Sequence, residues 1–546
     1  MIKSIKSLMD EIKSNLEIKK VAAFSILFFL ISIIIYSFFI NNQLVNTRDG
    51  LWNGQVFLAG KWEVSLGRFA LPLLTLIRFG ICAEPFHSIL SLAMISFGIV
   101  LIFDLFDLLN IKGIVLFLLI IIHPTYLNIL SYRYFAIENS LSILSSILGA
   151  VVLIKFHNSN LKMEILSIMI SVIFFVGTLS IYQSFISFAS FVIVLYTISL
   201  LLNEKSIKEA ISLIIKFAIS ILIACILYRI LWKLVLVIIN IKESSYGGAN
   251  DLDIISMLLN VPQKIVDSYR LLLAYLFTDN IIIHNAFKLY FVEVLLVLIS
   301  LVTIIIRFFS KKNKKDDILI KLFFLMLLLI LPLTLCTQIF FINRSGINEP
   351  SSASYTIFTP LLIGLCFNNN INDYLLRKKI IKISSVILLG LMLYSNIFQY
   401  QIDILTMWEG RNSCVSIMNS IINRLDKKDL YDENCQYVFL GTPYKNSLYK
   451  VSYNNYGKLD GLLRANDYAK IGQFWEATDT LYMSYSGFLK NVMGNNMNIV
   501  LKDYEYYDYL KTDEEYLRLK PFPSDDCMMV FDIEDNKKVV IVKISD

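Results

Sequence analysis

The chain has 546 residues, of which 56% are hydrophobic, a mean hydropathy of +0.63 and a net charge of +6. Soluble domains are about 45–50% apolar, so this excess excludes an ordinary soluble protein and predicts helices that cross a bilayer, each needing about 20 apolar residues. The basic residues lie in short segments between apolar runs, as in membrane proteins, which argues against a nucleic-acid partner.

The first apolar run, residues 21–40, carries no charge and is followed by no small-residue cleavage site, so it is expected to be an uncleaved first span. Residues 165–202 lack charged side chains and histidine but are too long for one crossing. Their polar break, Tyr182-Gln183-Ser184, predicts a tight helical hairpin with these three residues at its tip.

About eleven spans are predicted, with lysine and arginine clustered in alternate connections. The positive-inside rule places the basic connections in the cytoplasm, the N-terminus inside and the C-terminus outside. Residues 69–85 are ambiguous, because they could be interfacial or form a further crossing. The predicted spans lie near 21–40, 87–109, 114–130, 140–156, 165–181, 184–202, 211–240, 289–306, 322–342, 354–368 and 380–397, and the cytoplasmic segments near 1–20, 155–164, 203–210, 307–321 and 369–379.

After the last span the composition becomes charged and tyrosine-rich. We therefore predict a polytopic α-helical membrane protein with a transmembrane domain at 1–398 and an extracytoplasmic α+β domain at 399–546. Residues 407–424 are expected to be helical, and the alternating stretches 436–440 and 538–544 to be strands. Cys435 and Cys527 each open a predicted strand, so either a disulfide between them or two free thiols fits the sequence.

The first outer loop, residues 41–85, holds the most suggestive charges. Arg48 and Asp49 follow the first span closely, and Arg68 comes later in the same loop. A carboxylate can take the proton of an attacking hydroxyl, and guanidinium groups can hold a leaving phosphate. Trp62 suits the membrane interface. The alternative is an interfacial loop whose charges are simply solvated.

Four further basic residues are candidates for binding a phosphate. Arg229 and Lys233 are four residues apart, hence on one helix face, and a mid-bilayer charge costs about 2.5–3.5 kcal/mol. A lipid phosphate would serve as their partner, unless both side chains reach the interface along their aliphatic stems. Arg133, between two tyrosines and close to Glu138, and Arg344 each lie on an outer connection. Either could complete a phosphate clamp or anchor its span.

No metal site and no cofactor are predicted, although a requirement for a divalent cation stays open. Asp251-Leu252-Asp253 spells a DxD motif, but its setting favours a helix N-cap. The histidines and cysteines show no ligand spacing. His123-Pro124 predicts a helix kink in preference to a catalytic base.

A further set of short motifs resembles the bacterial Gtr-type, serotype-converting glucosyltransferases. The motifs are Asp49-Gly50, Trp62, Gly67-Arg68, Glu84-Pro85, Tyr182-Gln183 at a hairpin tip, and YSNIFQYQIDILTMWEGR after the last span. The resemblance implies a GT-C-like fold, a catalytic acidic residue in the first outer loop and a polyprenyl-phosphate-linked sugar donor. That family often has two acidic residues where this chain has Arg48-Asp49. Asp49 is thus the expected base, and a second carboxylate could be Glu63 or Glu84.

These observations predict an inverting membrane glycosyltransferase of the bacterial cytoplasmic membrane. It would move a sugar, glucose by resemblance, to a cell-surface polysaccharide or teichoic-acid-like acceptor on the outer face. A transporter or flippase of lipid-linked saccharide would need charges along the membrane interior and two related halves, and the sequence shows no such symmetry. A glycan polymerase or ligase stays open as a third class.

Overall fold

The computed structural model describes residues 18–47, 49–246, 254–277, 289–310, 318–341, 349–367, 379–432, 435–452, 464–473, 478–499, 514, 518–533 and 537–546. These residues are mostly helical, with a small sheet near the C-terminus. One continuous hydrophobic cluster joins most of the long helices, and a smaller one lies beneath the first loop.

The helices of the first half follow the apolar runs. Several of these helices have a polar N-cap residue. The side chains of Asn110, Asn160 and Ser206 accept hydrogen bonds from backbone N–H groups of the first turn. The helices are α1 (Ile18–Asn41), α2 (Asp49–Trp52), α3 (Lys61–Ser65), α4 (Leu71–Ile77), α5 (Phe86–Leu105), α6 (Ile111–Ile121), α7 (Pro124–Ser131), α8 (Ala136–Lys155), α9 (Leu161–Ile181), α10 (Ile186–Leu202) and α11 (Ile207–Ile238), with 3₁₀ turns at Arg133–Phe135 and Gln183–Phe185.

The second half continues with shorter or irregular helices and the sheet. The helices are α12 (Ile254–Phe277), α13 (Tyr290–Phe309), α14 (Ile318–Thr334), α15 (Phe358–Phe367), α16 (Lys379–Lys427) and α17 (Thr478–Met493), with 3₁₀ segments Thr337–Phe341 and Glu349–Ile357. The strands are β1 (Cys435–Leu440), β2 (Met528–Ile533) and β3 (Lys537–Lys543).

Within the described residues, eight helices are long and apolar enough to cross a membrane, or nine if the bent pair α6–α7 is one span. This is compatible with a polytopic membrane protein and fewer than the eleven predicted spans. The predicted span 354–368 is wrong as a single helix, because it divides into a 3₁₀ segment and the ten-residue α15. Ten residues reach about 15 Å, half of a bilayer core of about 30 Å.

The ambiguous segment 69–85 does not form a crossing. It contains only the seven-residue helix α4, which is about 10 Å long. The predicted kink at His123-Pro124 is confirmed, since α6 and α7 meet there at 54°. His123 also caps α7 by accepting a hydrogen bond from the Thr125 amide.

The apolar stretch 165–202 breaks at Tyr182-Gln183-Ser184, as predicted. The resulting helices do not pack side by side along their length, as a tight hairpin would. α9 packs mainly on α8 and α11, and α10 packs on α8, α11 and α14. The break therefore separates two helices with different neighbours, and its tip lies among several elements.

Helix α12 lies in the segment predicted to form the third outer loop. Its buried side chains include the polar Lys264, Asp267 and Ser268 together with the apolar Leu271 and Leu276. The DxD motif before it lies outside the described residues.

The long helix α16 runs unbroken across the predicted domain boundary at 398/399 and includes the predicted helix 407–424. The two predicted strands are confirmed as β1 and β3. β3 lies centrally, parallel to β1 and antiparallel to β2. The division into two domains stays a prediction.

The sheet order excludes a disulfide between Cys435 and Cys527, and both are free thiols. Cys435 is paired with Lys538 at the start of β3, whereas Cys527 lies beside Lys543 at its end. The two cysteines are also on opposite sides of β3, so they are separated by about 10 Å across the sheet and about 15 Å along it. Disulfides need Cα atoms within about 7 Å.

Candidate functional site

Asp49 opens the one-turn helix α2, which is fastened at its beginning. The Asn46 side chain accepts a hydrogen bond from the Gly50 amide at 2.8 Å, and the Asn46 amide donates to the Ser131 carbonyl at 3.2 Å. Gly50 permits this close approach, because a Cβ there would lie 2.7 Å from the Ser131 oxygen. The Asp49 side chain is thereby held half-buried beside the end of α7.

The carboxylate of Asp49 meets a tyrosine from the next 3₁₀ turn. Tyr134 donates its hydroxyl hydrogen to Asp49 Oδ2 at 3.1 Å. The Tyr134 ring is buried and packs edge-to-face on Phe57, with Phe135 alongside. A phenol held in this way supplies a fixed donor to the candidate base.

Arg68 lies directly after a turn that only glycine accommodates well. Gly67 has a φ of +86°, and a Cβ there would lie 2.1 Å from the Tyr228 hydroxyl. The Arg68 guanidinium lies 4.5 Å over the ring of Tyr182, at the tip of the broken apolar stretch. Its Nε is buried without a hydrogen-bond partner, and within the described residues Arg68 forms no ion pair.

Gln183 joins the same tip to the first loop. Its side-chain amide donates to the Leu66 carbonyl at 2.9 Å and to the Tyr228 hydroxyl at 3.0 Å. The neighbouring Tyr182 and Ser184 hydroxyls lie 3.4 and 3.0 Å from Ser351. Tyr182 and Gln183, predicted from sequence, therefore do lie beside Arg68.

Arg133 is only 5% exposed, yet no hydrogen bond or ion pair of its guanidinium is found within the described residues, and its Nε is fully buried. The carboxylate of Glu84 acts on it from beyond ion-pair distance. Glu84 instead accepts hydrogen bonds from the Ser88 amide and hydroxyl at the beginning of α5. Burial raises the pKa of Glu84, against the opposing effects of Ser88 and Arg133.

Two other predicted carboxylates are engaged in structural contacts. Glu63 accepts a hydrogen bond from the Gly60 amide at 2.7 Å and so caps α3. Glu138 forms an ion pair with Arg78 at 2.8 Å, in which its side chain is 1% exposed. Glu63 is thus engaged in a helix cap, and the expectation that Glu63 or Glu84 supplies a second carboxylate stays a prediction.

Arg229 and Lys233 share a protein partner that the sequence analysis did not identify. Arg229 lies 3.0 Å from Glu243, and Lys233 contacts the other oxygen of the same carboxylate. Both basic side chains are about half exposed. Glu243 therefore supplies an anionic partner for both within the protein, and a lipid phosphate at this place stays a prediction. Trp62 is exposed nearby, with its ring edge-to-face against Tyr246.

Two predicted residues, Arg48 and Arg344, lie outside the described residues. Among the residues that are described, no group of three or more histidine, cysteine or acidic side chains could hold a metal ion.

The C-terminal region contacts the Asp49 helix, which the sequence analysis missed. Helix α17 packs on α2 so closely that a Cβ at Gly487 would lie 2.5 Å from the Leu51 carbonyl oxygen. Trp52 donates its indole hydrogen to Ser484, and Asn491 donates to the Leu51 carbonyl. No sequence motif marks this contact, because it joins residues more than 400 positions apart.

A buried carboxylate on α16 also reaches this region. Asp403 accepts hydrogen bonds from the Asn466 side chain at 2.6 Å and the Tyr468 hydroxyl at 2.7 Å. The Tyr468 carbonyl in turn accepts from the Thr47 amide at 3.0 Å, two residues before Asp49. The quoted YSNIFQYQIDILTMWEGR segment contains Asp403, but its spacing gives no sign of these partners.

Comparison with known proteins gives one family. The family described as Glucosyl transferase GtrII matches residues 53–363, which is more than half of the chain and includes Arg68, Arg133 and Tyr134 but begins just after Asp49. No curated protein and no solved structure matches. The match agrees with the motifs that indicated Gtr-type enzymes. The chain belongs to the GtrII glucosyl transferase family.

Proposed function

We propose that the protein transfers glucose from a polyprenyl-phosphate-linked donor to a cell-surface glycan, at the outer face of the bacterial cytoplasmic membrane. Family membership supports glucosyl transfer, and the apolar helices are compatible with a multi-pass membrane protein. One observation carries the donor assignment. Asp49 is bonded to Tyr134, which follows Arg133 in the chain and on which the charge of Arg68 also acts, and neither arginine forms an ion pair within the described residues.

A buried guanidinium without a counter-charge is unfavourable, since moving a charge out of water costs several kcal/mol unless it is paired. A phosphate would supply that pair for Arg133 and hydrogen-bond acceptors for Arg68. Arg68 also keeps one face against the Tyr182 ring. The two side chains therefore suit a lipid phosphate whose prenyl tail lies among the apolar helices.

The proposed reaction is a single displacement with inversion. Asp49 takes the proton of the acceptor hydroxyl as its oxygen attacks the anomeric carbon, and the bond from that carbon to the phosphate oxygen breaks. The electron pair of that bond leaves with polyprenyl phosphate, whose anion Arg68 and Arg133 stabilise. A carboxylate base of this kind contributes typically 10²–10⁴-fold.

Asp49 suits this role better than the other acidic residues of the loop. Glu63 and Glu138 are held by a helix cap and an ion pair. Glu84 is engaged at the beginning of α5, where its two carboxyl oxygens accept hydrogen bonds from the Ser88 amide and hydroxyl. Asp49 is only partly buried and can meet an acceptor from water.

The C-terminal region is proposed to lie outside the membrane with the N-terminus in the cytoplasm. Its helix α17 contacts α2, which carries Asp49. An acceptor bound by this region would therefore be close to the base. A polysaccharide or teichoic-acid-like glycan is the proposed acceptor class.

The decisive experiment measures release of free polyprenyl phosphate from polyprenyl-phosphoglucose by the purified protein in lipid, with cell-envelope glycan as acceptor. Asp49→Asn, nearly isosteric but unable to take a proton, should lower turnover about a hundredfold or more while donor binding survives. Glu84→Gln is the control and should cost much less. Wild-type turnover in Asp49→Asn with loss in Glu84→Gln would move the base to Glu84. Donor movement across the bilayer without phosphate release would instead indicate a flippase.

A further inference from the structure

The Tyr134 hydroxyl donates a hydrogen bond to the Asp49 carboxylate at 3.1 Å. Asp49 stands at the beginning of a helix of only four residues. Such a short helix has little stability of its own. The side chain of its first residue can rotate unless other contacts hold it. The position of the carboxylate therefore depends on contacts from other elements.

The backbone of Tyr134 is held by one arginine. Arg78 donates from Nη2 to the Tyr134 carbonyl at 2.6 Å, from Nη1 to the Ile81 carbonyl at 2.8 Å and from Nε to Glu138 at 2.8 Å. These three bonds join the end of the first loop, the 3₁₀ turn and α8. Arg78 thus fixes the turn from which the Tyr134 ring projects.

The ring of Tyr134 is fixed as well. It packs against Phe57, at 4.9 Å, and Phe135, at 4.4 Å between ring centroids. The whole residue is 6% exposed. A buried aromatic ring packed against two others has little freedom to swing its hydroxyl away from Asp49.

We propose that Tyr134 is a positioning residue for the base. Its hydroxyl holds the Asp49 carboxylate in one orientation and favours the ionised form, with Arg78 and Glu138 fixing Tyr134. The inference rests on the proposed role of Asp49. Tyr134 itself keeps its proton throughout, because a phenol has an ordinary pKa of about 10 and no stronger base is bound to it.

A hydrogen bond to the charged form lowers the pKa of a carboxylate. Among the described residues, the charge of Arg68 also acts on Tyr134, and Arg78 is bonded to the Tyr134 backbone carbonyl. Helix α17, packed on α2, presents Ser484 and Asn491 there, and neither titrates. Loss of the Tyr134 hydroxyl should therefore shift the ionisation of Asp49 upward in pH.

The test is Tyr134→Phe in the transfer assay. We expect kcat to fall about tenfold, the value for one lost bond to a charged group, with the KM for donor unchanged. The acid limb of the pH profile of kcat should move to higher pH. Tyr36→Phe is the matched control: its hydroxyl is equally buried but donates to the Ile121 carbonyl, so any loss should leave the pH profile in place.

A double variant separates this proposal from the one it rests on. In an Asp49→Asn background, Tyr134→Phe should cause no further loss, because the carboxylate that it orients is gone. Full additivity of the two changes, or an unshifted pH profile in Tyr134→Phe, would overturn the positioning role while leaving Asp49 as base. Wild-type turnover in Asp49→Asn alone would instead reject the proposed function.

Discussion

Two groups of basic side chains lie in predicted outward-facing regions, and the sequence suggested a lipid phosphate for both. The first group, Arg68 of the first loop and Arg133 of the 3₁₀ turn Arg133–Phe135, is buried or half-buried and lacks an anionic partner among the described residues. The α11 group, Arg229 and Lys233, is about half exposed and shares Glu243. The two groups have equal charge and differ in what the fold places opposite them.

The presence or absence of an anionic partner indicates which group of basic residues binds a ligand better than their charge does. A surface ion pair contributes about 0–1 kcal/mol and needs no ligand to explain it. A buried guanidinium without an anion lowers stability, so its presence indicates a ligand that supplies the anion. The contrast recurs around Tyr134, where Arg78 forms an ion pair with Glu138 and Arg133 forms none within the described residues.

The largest effect should come from removing the paired arginine. Arg78→Gln leaves Glu138 buried and uncompensated, which costs about 3–5 kcal/mol of folding free energy, so the midpoint of thermal unfolding in lipid should fall sharply. The matched control is Arg133→Gln, whose unfolding midpoint should stay the same or rise. Equal destabilisation by both changes would mean that Arg133 also has a structural partner.

Arg133→Gln should have the next largest effect, on transfer instead of stability. A lost charge-assisted contact in a buried position costs about 2–3 kcal/mol, which is about 30–150-fold in kcat/KM. The measurement is polyprenyl phosphate release as a function of donor concentration. Undiminished kcat/KM would remove Arg133 from the donor site and leave its burial without a functional reason.

Arg68→Ala should cost less, about 1.5 kcal/mol or roughly tenfold in kcat/KM, because this side chain is only half buried. Arg68→Lys should recover only part of the loss, since a lysine lacks the planar group that stacks on Tyr182 and binds an anion through two hydrogens. Complete recovery with lysine would show that charge alone matters at this position.

Local patterns were enough to predict much of this fold. Apolar run length located most long helices, the His123-Pro124 pair predicted the bend between α6 and α7, and alternation predicted β1 and β3. The span at 354–368 failed because apolar content does not distinguish an α-helix from a 3₁₀ segment followed by a short helix. The sequence left open whether Cys435 and Cys527 form a disulfide, because sequence does not give strand order.

The candidate site was also predictable only in part, because local sequence patterns do not show contacts between distant segments. Residue type and spacing selected Asp49, Arg68 and Arg133, but partners are set by contacts between distant parts of the chain. No ion-pair partner of Glu138 was apparent from the sequence, because its partner Arg78 lies sixty residues earlier in the chain. Tyr134 was visible only as a neighbour of Arg133, and nothing local indicated that its hydroxyl meets Asp49, 85 residues away.

The smallest effect is expected in the α11 group. Glu243→Gln should leave kcat/KM for transfer unchanged, because its basic partners have no proposed contact with substrate. It should remove at most about 1 kcal/mol of stability, the value for a surface ion pair. Loss of transfer in this variant would contradict this distinction between the two groups and indicate that Arg229 and Lys233 contribute to the donor site.

The stability difference between wild type and Glu243→Gln should also depend on pH. Burial alone would raise the pKa of Glu243, but hydrogen bonds and charges from Lys233 and Arg229 together lower it below its ordinary value of 4.5. A carboxylate with a lowered pKa in the folded state stabilises the fold above the unfolded pKa, and this stabilisation is lost as the pH falls through the folded value. The difference in unfolding midpoint between wild type and Glu243→Gln should therefore be constant from pH 7 down to about 5 and vanish at lower pH. Added salt should reduce it, since half-exposed charges are screened, and a difference insensitive to both pH and salt would show that Glu243 acts by packing alone.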